Sequence, residues 1–275
     1  MSKHTYHAPQ GGLPGPEESH YEKAIFTTAY AVIPREVMAN IVTSNLPNWA
    51  GTRAWILARP LTGFAETFAQ YLVEVAPGGG SDAPEPDPEA EGVIFVLSGA
   101  PSITINGSSE TLRPGSYVFL APGDGWSLTN PGEQSASFSW VRKRYVPAPG
   151  ISPPTSFVTH DDDATPNPMP GHGTSWATSR FVKTDDLSHD IHVNIVTFEP
   201  GGKIPFAETH VMEHGIYILQ GQASYLLNGD WVEVEAGDFL WLRAFCPQAC
   251  IASGNEPFRY LLYKDVNRHP DLVLP

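Results

Sequence analysis

Five turn residues recur along this chain at a single offset. Gly99, Asn106-Gly107, Gly115 and Gly132 reappear 122 positions later as Gly221, Asn228-Gly229, Gly237 and Gly254. Coincident turns at one offset mean two copies of one folding unit. Asn-Gly between apolar residues supplies the positive φ of a type I′ turn, so Thr104-Ile105-Asn106-Gly107 and Leu226-Leu227-Asn228-Gly229 read as the same hairpin written twice. Apolar runs at 116–121 and 238–242, then at 136–141 and 258–263, predict further short strands in each half. With 25 Gly and 27 Pro, the chain is too rich in helix breakers for a helical protein. The expectation is all-β: two small antiparallel barrels or jelly rolls.

The boundaries follow from composition. Residues 1–23 carry Pro, Gly and charge without strand-like patterning and are expected to be a flexible arm. The first barrel is expected over 24–147 and the second over 181–275, with 148–180, rich in Pro, Gly, Ser and Asp, as a linker. Its Asp161-Asp162-Asp163 run reads as solvated acid rather than a ligand set.

Thirty acidic against sixteen basic residues give a formal net charge of -14. Such a field repels phosphate backbones and anionic headgroups, so neither nucleic acid nor a membrane is an expected partner. No apolar run reaches the ~18 residues of a membrane span, and no secretory h-region is seen. Only Cys246 and Cys250 are present, too few for a secreted disulfide framework; they read as packing thiols in a reducing, cytoplasmic setting.

The chemistry lies in the second half. Glu208-Thr209-His210-Val211-Met212-Glu213-His214 precedes an apolar alternation that ends at Gly221. In an extended strand alternate side chains share a face, so Glu208, His210 and His214 can enter one barrel interior. A lone histidine there would read as core, but three donors in this pattern read as a metal site. His160, His172, His189 and His192 show no such spacing and are expected to be structural or exposed.

Gly202, Glu208, His210, His214 and Gly221 sit at the spacings of the first cupin motif, with Glu, His, His in place of its usual His, His, Glu. Gly237 opens the second motif and Gln248 stands at its histidine position; the motif's usual Pro and Gly are Arg243 and Phe245 here. The chain thus resembles a bicupin. Glu208-Thr209-His210-Val211, Glu213-His214-Gly215, Tyr217-Ile218-Leu219 and Gly221-Gln222 closely resemble the (S)-ureidoglycine aminohydrolase (glyoxylate-induced protein) family. So do Arg142-Lys143-Arg144-Tyr145-Val146-Pro147 and the ending around Tyr260, Tyr263, Lys264, Asp265, Asn267 and Arg268. The resemblance runs from about Ala24 onward.

It implies one Mn²⁺ per chain held by Glu208, His210, His214 and Gln248, with Tyr225, Tyr260 and Lys264 contacting substrate. Two imidazoles and two oxygen donors without thiolate also suit Mn²⁺, Fe²⁺ or Ni²⁺ on chemical grounds. The implied reaction is release of ammonia from (S)-ureidoglycine to give (S)-ureidoglycolate in purine and allantoin breakdown. Glu208 is then the candidate proton shuttle and Lys264 the partner of the substrate carboxylate. Competing readings are a non-haem metal dioxygenase of the cupin class and a non-catalytic small-acid sensor. A homo-oligomer is expected, because barrels of this kind leave sheet edges to cover.

For the first half the offset matters. At 122, Glu208, His210, His214 and Gln248 fall on Pro86, Pro88, Gly92 and Trp126, which ligate nothing. At 123, Glu85, Asp87 and Glu91 fall under the three strand donors, and Pro77-Gly78-Gly79 matches Pro200-Gly201-Gly202. Alternating Pro and acid over 83–90 favours a loop, and the expectation is a first barrel without metal.

Overall fold

The computed structural model describes residues 4–9, 24–39, 46–60 and 65–265. Its two halves are β-sheet structures, and the one α-helix among the described residues is the short Arg35–Ala39. No helix among them is long and apolar enough to cross a membrane. Both Asn-Gly hairpins form as the sequence predicts: Asn106, Gly107, Asn228 and Gly229 all have positive φ, closing the pairs Ile105 with Ser108 and Leu227 with Asp230.

In the first half nine strands make one curled sheet, centred on Ala90–Ser98, Ala136–Arg144 and Ala69–Ser81. The second half packs an eight-stranded sheet against the three strands Asp230–Glu235, Gln222–Leu227 and Gln248–Ser253. Alternation divides each strand between two cores. Along His214–Gln220, Ile216 and Ile218 face the interior of the second barrel, whereas Tyr217 and Leu219 face a core shared by both halves. Along Ala90–Ser98, Ile94 and Val96 face the first interior, and Val93, Phe95 and Leu97 the shared core.

The sheets do not respect the boundaries expected from composition. Tyr30–Ile33, inside the predicted first barrel, pairs with Phe239–Leu242 of the second. Phe157–His160, inside the predicted linker, pairs with Ser116–Leu120 of the first. Each half is therefore edged by a strand that precedes the other half. The remainder of 148–180 is also ordered into Pro166–Pro168 and Trp176–Ser179, the latter paired to Ile191–Phe198. Proline is tolerated in Pro166–Pro168 because this strand is the last in its sheet. The physical reason for the exchange is coverage. Tyr30–Ile33 is buried along its whole length, and it removes an edge that would otherwise present unpaired N–H and C=O groups.

Of the expected flexible arm, residues 1–3 and 10–23 lie outside the described residues. Residues 4–9 lie against the second sheet: His7 donates its N–H to Leu219 O at 2.9 Å and accepts from Tyr217 Oη at 3.0 Å.

Candidate metal and substrate site

The interior of the second barrel is organised by register. His214 pairs with Lys264, which pairs in turn with His192, giving one row across three strands. Tyr260, Leu262 and Lys264 share the interior face by alternation, as the sequence predicts. Glu208 precedes the strand that His214 opens. It meets Gln248 in an isolated bridge, with reciprocal backbone hydrogen bonds of 2.9 Å in each direction. The backbone of Gln248 is thereby held opposite that of the acidic donor. Glu208, His210, His214, Gln248, Tyr260 and Lys264 all line one cavity of about 130 Å³. Met169, Trp176, Ile204, Met212 and Ile216 give the cavity an apolar remainder.

Within it, Glu208 Oε1 lies 3.3 Å from His210 Nε2, and the His210 and His214 rings are 5.3 Å apart between centroids. His214 Nδ1 donates to the Glu213 carbonyl at 3.0 Å, which leaves the lone pair on Nε2. Burial, then neighbouring His210, lowers the His214 pKa to about 3, so the ring stays neutral, the form a metal requires. Gln248 Oε1 accepts from Tyr225 Oη at 3.0 Å. That contact uses one lone pair of the amide oxygen and leaves the other. The set thus fits a divalent metal in kind, and all four residues line one cavity. Its donor atoms are not drawn around one point: among the described residues, no group of three or more His, Cys, Asp or Glu side chains is disposed to hold an ion.

Tyr225 departs from the expectation of a substrate contact. It is fully buried behind Gln248, beside Tyr260 at 6.3 Å between rings, and is not part of the cavity wall. Neither cysteine lines the cavity; both are free and buried, and burial pushes the Cys250 thiol well up. His192, expected to be structural or exposed, is buried beside Lys264 with Nε2 unpartnered. Asn267 and Arg268 lie outside the described residues.

Sequence reasoning also missed the work of Glu213. Its carboxylate accepts from Glu66 N at 2.8 Å, Thr67 N at 2.9 Å, Thr67 Oγ1 at 2.6 Å and Trp241 Nε1 at 2.6 Å. The residue before His214 is thus fixed from two directions. The only signal in the sequence was its place in the resembling run.

In the first half the register settles the offset. Gly92 pairs with Leu120 and Arg142, as His214 pairs with Leu242 and Lys264, all three related by 122. Gly92 therefore occupies the His214 position, and Glu91 lies on the opposite strand face, that of Val93 and Phe95 in the shared core. Glu85 is bonded to Arg142, the counterpart of Lys264. Arg142 also lies over the Trp140 ring at 5.3 Å, and a cavity of about 160 Å³ remains beside them, bordered by Glu85, Asp87, Gly92, Trp126 and Trp140.

A cupin domain model matches residues 71–142 and 194–263, once in each half. The (S)-ureidoglycine aminohydrolase of Arabidopsis thaliana is 32% identical over 259 residues, covering 94% of this chain and 81% of that protein. The Escherichia coli K12 protein of the same name is 28% identical, covering 84% and 87%. A crystal structure named for a glyoxylate-induced protein of Pseudomonas aeruginosa superposes with a TM-score of 0.92 at 56% identity, over 99% of this chain and 100% of that one. With the cupin model covering more than half of the chain and the plant relative aligned over nearly all of it, the chain belongs to the cupins and, among them, to the (S)-ureidoglycine aminohydrolase family.

Proposed function

We propose that this chain is a manganese-dependent (S)-ureidoglycine aminohydrolase that releases ammonia and forms (S)-ureidoglycolate, a step in the recovery of purine nitrogen. The observation that carries the reading is the shared cavity. Four metal donors of the right kinds, Glu208, His210, His214 and Gln248, face Tyr260 and Lys264 across about 130 Å³, in a chain whose named relatives act on this compound. Such a space suits a small acid.

In the reaction the bond from the α-carbon to the amine breaks and a bond to a water oxygen forms. A bound Mn²⁺ supplies Lewis-acid polarisation and a fixed template for the substrate. Glu208, Gln248 and the two histidines would hold it. Lys264 binds the substrate carboxylate and so orients the α-carbon; Tyr260 bounds the same space. Glu208 is placed to accept the proton of the entering water and return one to the departing amine. The apolar wall of Trp176, Ile204 and Ile216 limits water to the side that the donors face, which preserves configuration by positioning.

The direct test is ammonia release from freshly generated (S)-ureidoglycine. Activity should vanish on chelation and return with Mn²⁺. Glu208→Gln should lower turnover by about 10²–10⁴-fold, the span of a lost proton-transfer group. Full activity in chelated protein would overturn the metal role, and oxygen uptake would redirect the reading to a dioxygenase.

A further inference from the structure

Lys264 is not the only cation at this end of the second barrel. Thr178 lines the cavity and pairs with Val196, which pairs with Tyr260. Arg180 lies two residues beyond Thr178, just past the end of Trp176–Ser179; it is not part of the cavity wall, but continued alternation would direct it toward the face of Thr178, displaced toward the row of Lys264 and His192. The two cations influence each other strongly enough that Arg180, after burial, lowers the Lys264 pKa; it also lowers that of His192. Both cations are half-buried. Among the described residues neither side chain makes a hydrogen bond or a close ion pair; Asp265 acts on Lys264 by charge alone. The neighbouring acid Asp265 accepts the Glu213 N–H at 3.0 Å.

Two partly desolvated like charges are unfavourable side by side; Asp265 offsets this for Lys264 only in part, since the Lys264 pKa is still lowered, and a ligand anion would complete the balance. In a chain with a formal charge of -14 this arrangement is the reverse of the general surface. Guanidinium beside ammonium also suits a planar carboxylate, since arginine offers paired N–H donors and lysine a point charge.

We propose that Arg180 and Lys264 together grip the carboxylate of the substrate, and that Arg180 makes the site selective for an α-carboxylate over its neutral amide. This deepens the aminohydrolase reading and rests on it for the identity of the acid. The grip itself concerns any small ureido acid that enters the cavity.

The test uses the full chain saturated with Mn²⁺ and two unreactive probes, N-carbamoylglycine and N-carbamoylglycinamide, followed by calorimetry. The unaltered chain should bind the acid at least about tenfold more tightly than the amide, as expected for charge-assisted recognition. Arg180→Gln should weaken the acid by roughly 10–100-fold and leave the amide within about twofold. Arg180→Lys, which keeps the charge, should recover part of the acid preference. The proposal is overturned by an unchanged acid affinity in Arg180→Gln, by equal losses for acid and amide, by no recovery in Arg180→Lys, or by an unaltered chain with no acid preference. Failure of the parent reading is distinguishable: no ammonia from (S)-ureidoglycine, with acid preference intact, removes the reaction and keeps the grip.

Discussion

Tyr225 shows how far a single residue can sit from the role its neighbours imply. Family resemblance groups it with Tyr260 and Lys264 as a substrate contact, yet its hydroxyl donates to Gln248 Oε1 at 3.0 Å and its ring is wholly buried. Desolvation holds its pKa well above the usual tyrosine value, so it remains a donor at any working pH. That bond fixes the direction of the amide oxygen. Tyr225→Phe should therefore weaken Mn²⁺ binding by about 10–100-fold, the usual cost of losing a partner that orients a ligand. KM measured at saturating Mn²⁺ should stay nearly constant. Equilibrium dialysis against Mn²⁺, paired with steady-state kinetics, checks this; a raised KM with unchanged metal affinity would return Tyr225 to the substrate. The donors themselves were legible from their spacing, although only His214 lies in a strand, with Glu208 in a single bridge and 210–213 in coil and bend; all three still line one cavity. What Tyr225 touches was not legible, since Gln248 lies 23 residues away along the chain and meets it only through strand pairing.

Strand registers carry the next level of information, and here the sequence was readable in part. The offset of 122 in the turn residues is the offset of the registers, so the Asn-Gly hairpins and the positions of Gly92 and His214 could be matched before any coordinates. The exchange of Tyr30–Ile33 and Phe157–His160 could not: a short apolar strand looks the same whichever edge it covers. Nor could the row His214–Lys264–His192, which joins three strands far apart in sequence. That row has a measurable consequence. Burial, then Lys264, lowers the His192 pKa from 6.5 to about 4. Above pH 6.5 the ring is neutral in both folded and unfolded chains. Between about pH 6.5 and 4 the unfolded chain takes up a proton that the folded chain refuses, so stability declines as pH falls through that window, by up to about 3 kcal/mol. His192→Asn should lose less stability than the unaltered chain between pH 7 and pH 4.5, measured by urea unfolding midpoints at both. Equal losses in the two proteins would mean that His192 is not held neutral.

At the scale of the molecule the two barrels are welded rather than tethered. The shared core draws Phe95, Tyr117 and Phe119 from one half and Tyr217, Phe239, Trp241 and Tyr263 from the other. Phe68 stacks on Tyr263 with ring centroids 3.9 Å apart, and Glu213 of the second half accepts three bonds from Glu66 and Thr67 of the first. Arg259 of the second half is buried on Asp161 at 2.6 Å, and Tyr6 donates to the same carboxylate. Composition divides the chain at 181, but the second barrel so defined lacks Tyr30–Ile33, the strand that covers Phe239–Leu242. It would also expose the face of Tyr217, Leu219 and Trp241, each worth about 1.5–3 kcal/mol when buried, against a total stability of about 5–15 kcal/mol for a typical domain. A chain of residues 181–275 alone should therefore fail to fold cooperatively, even though it holds all four metal donors. The full chain should unfold in one calorimetric transition at a fixed pH. Dispersed amide resonances and a sharp thermal transition in 181–275 would show the halves to be independent. Intermediate behaviour is also informative: if supplying residues 24–39 as a separate peptide restores folding, the exchanged strand, with the Ala31, Ile33, Val37 and Met38 it adds to the shared core, outweighs what the first barrel contributes to that core.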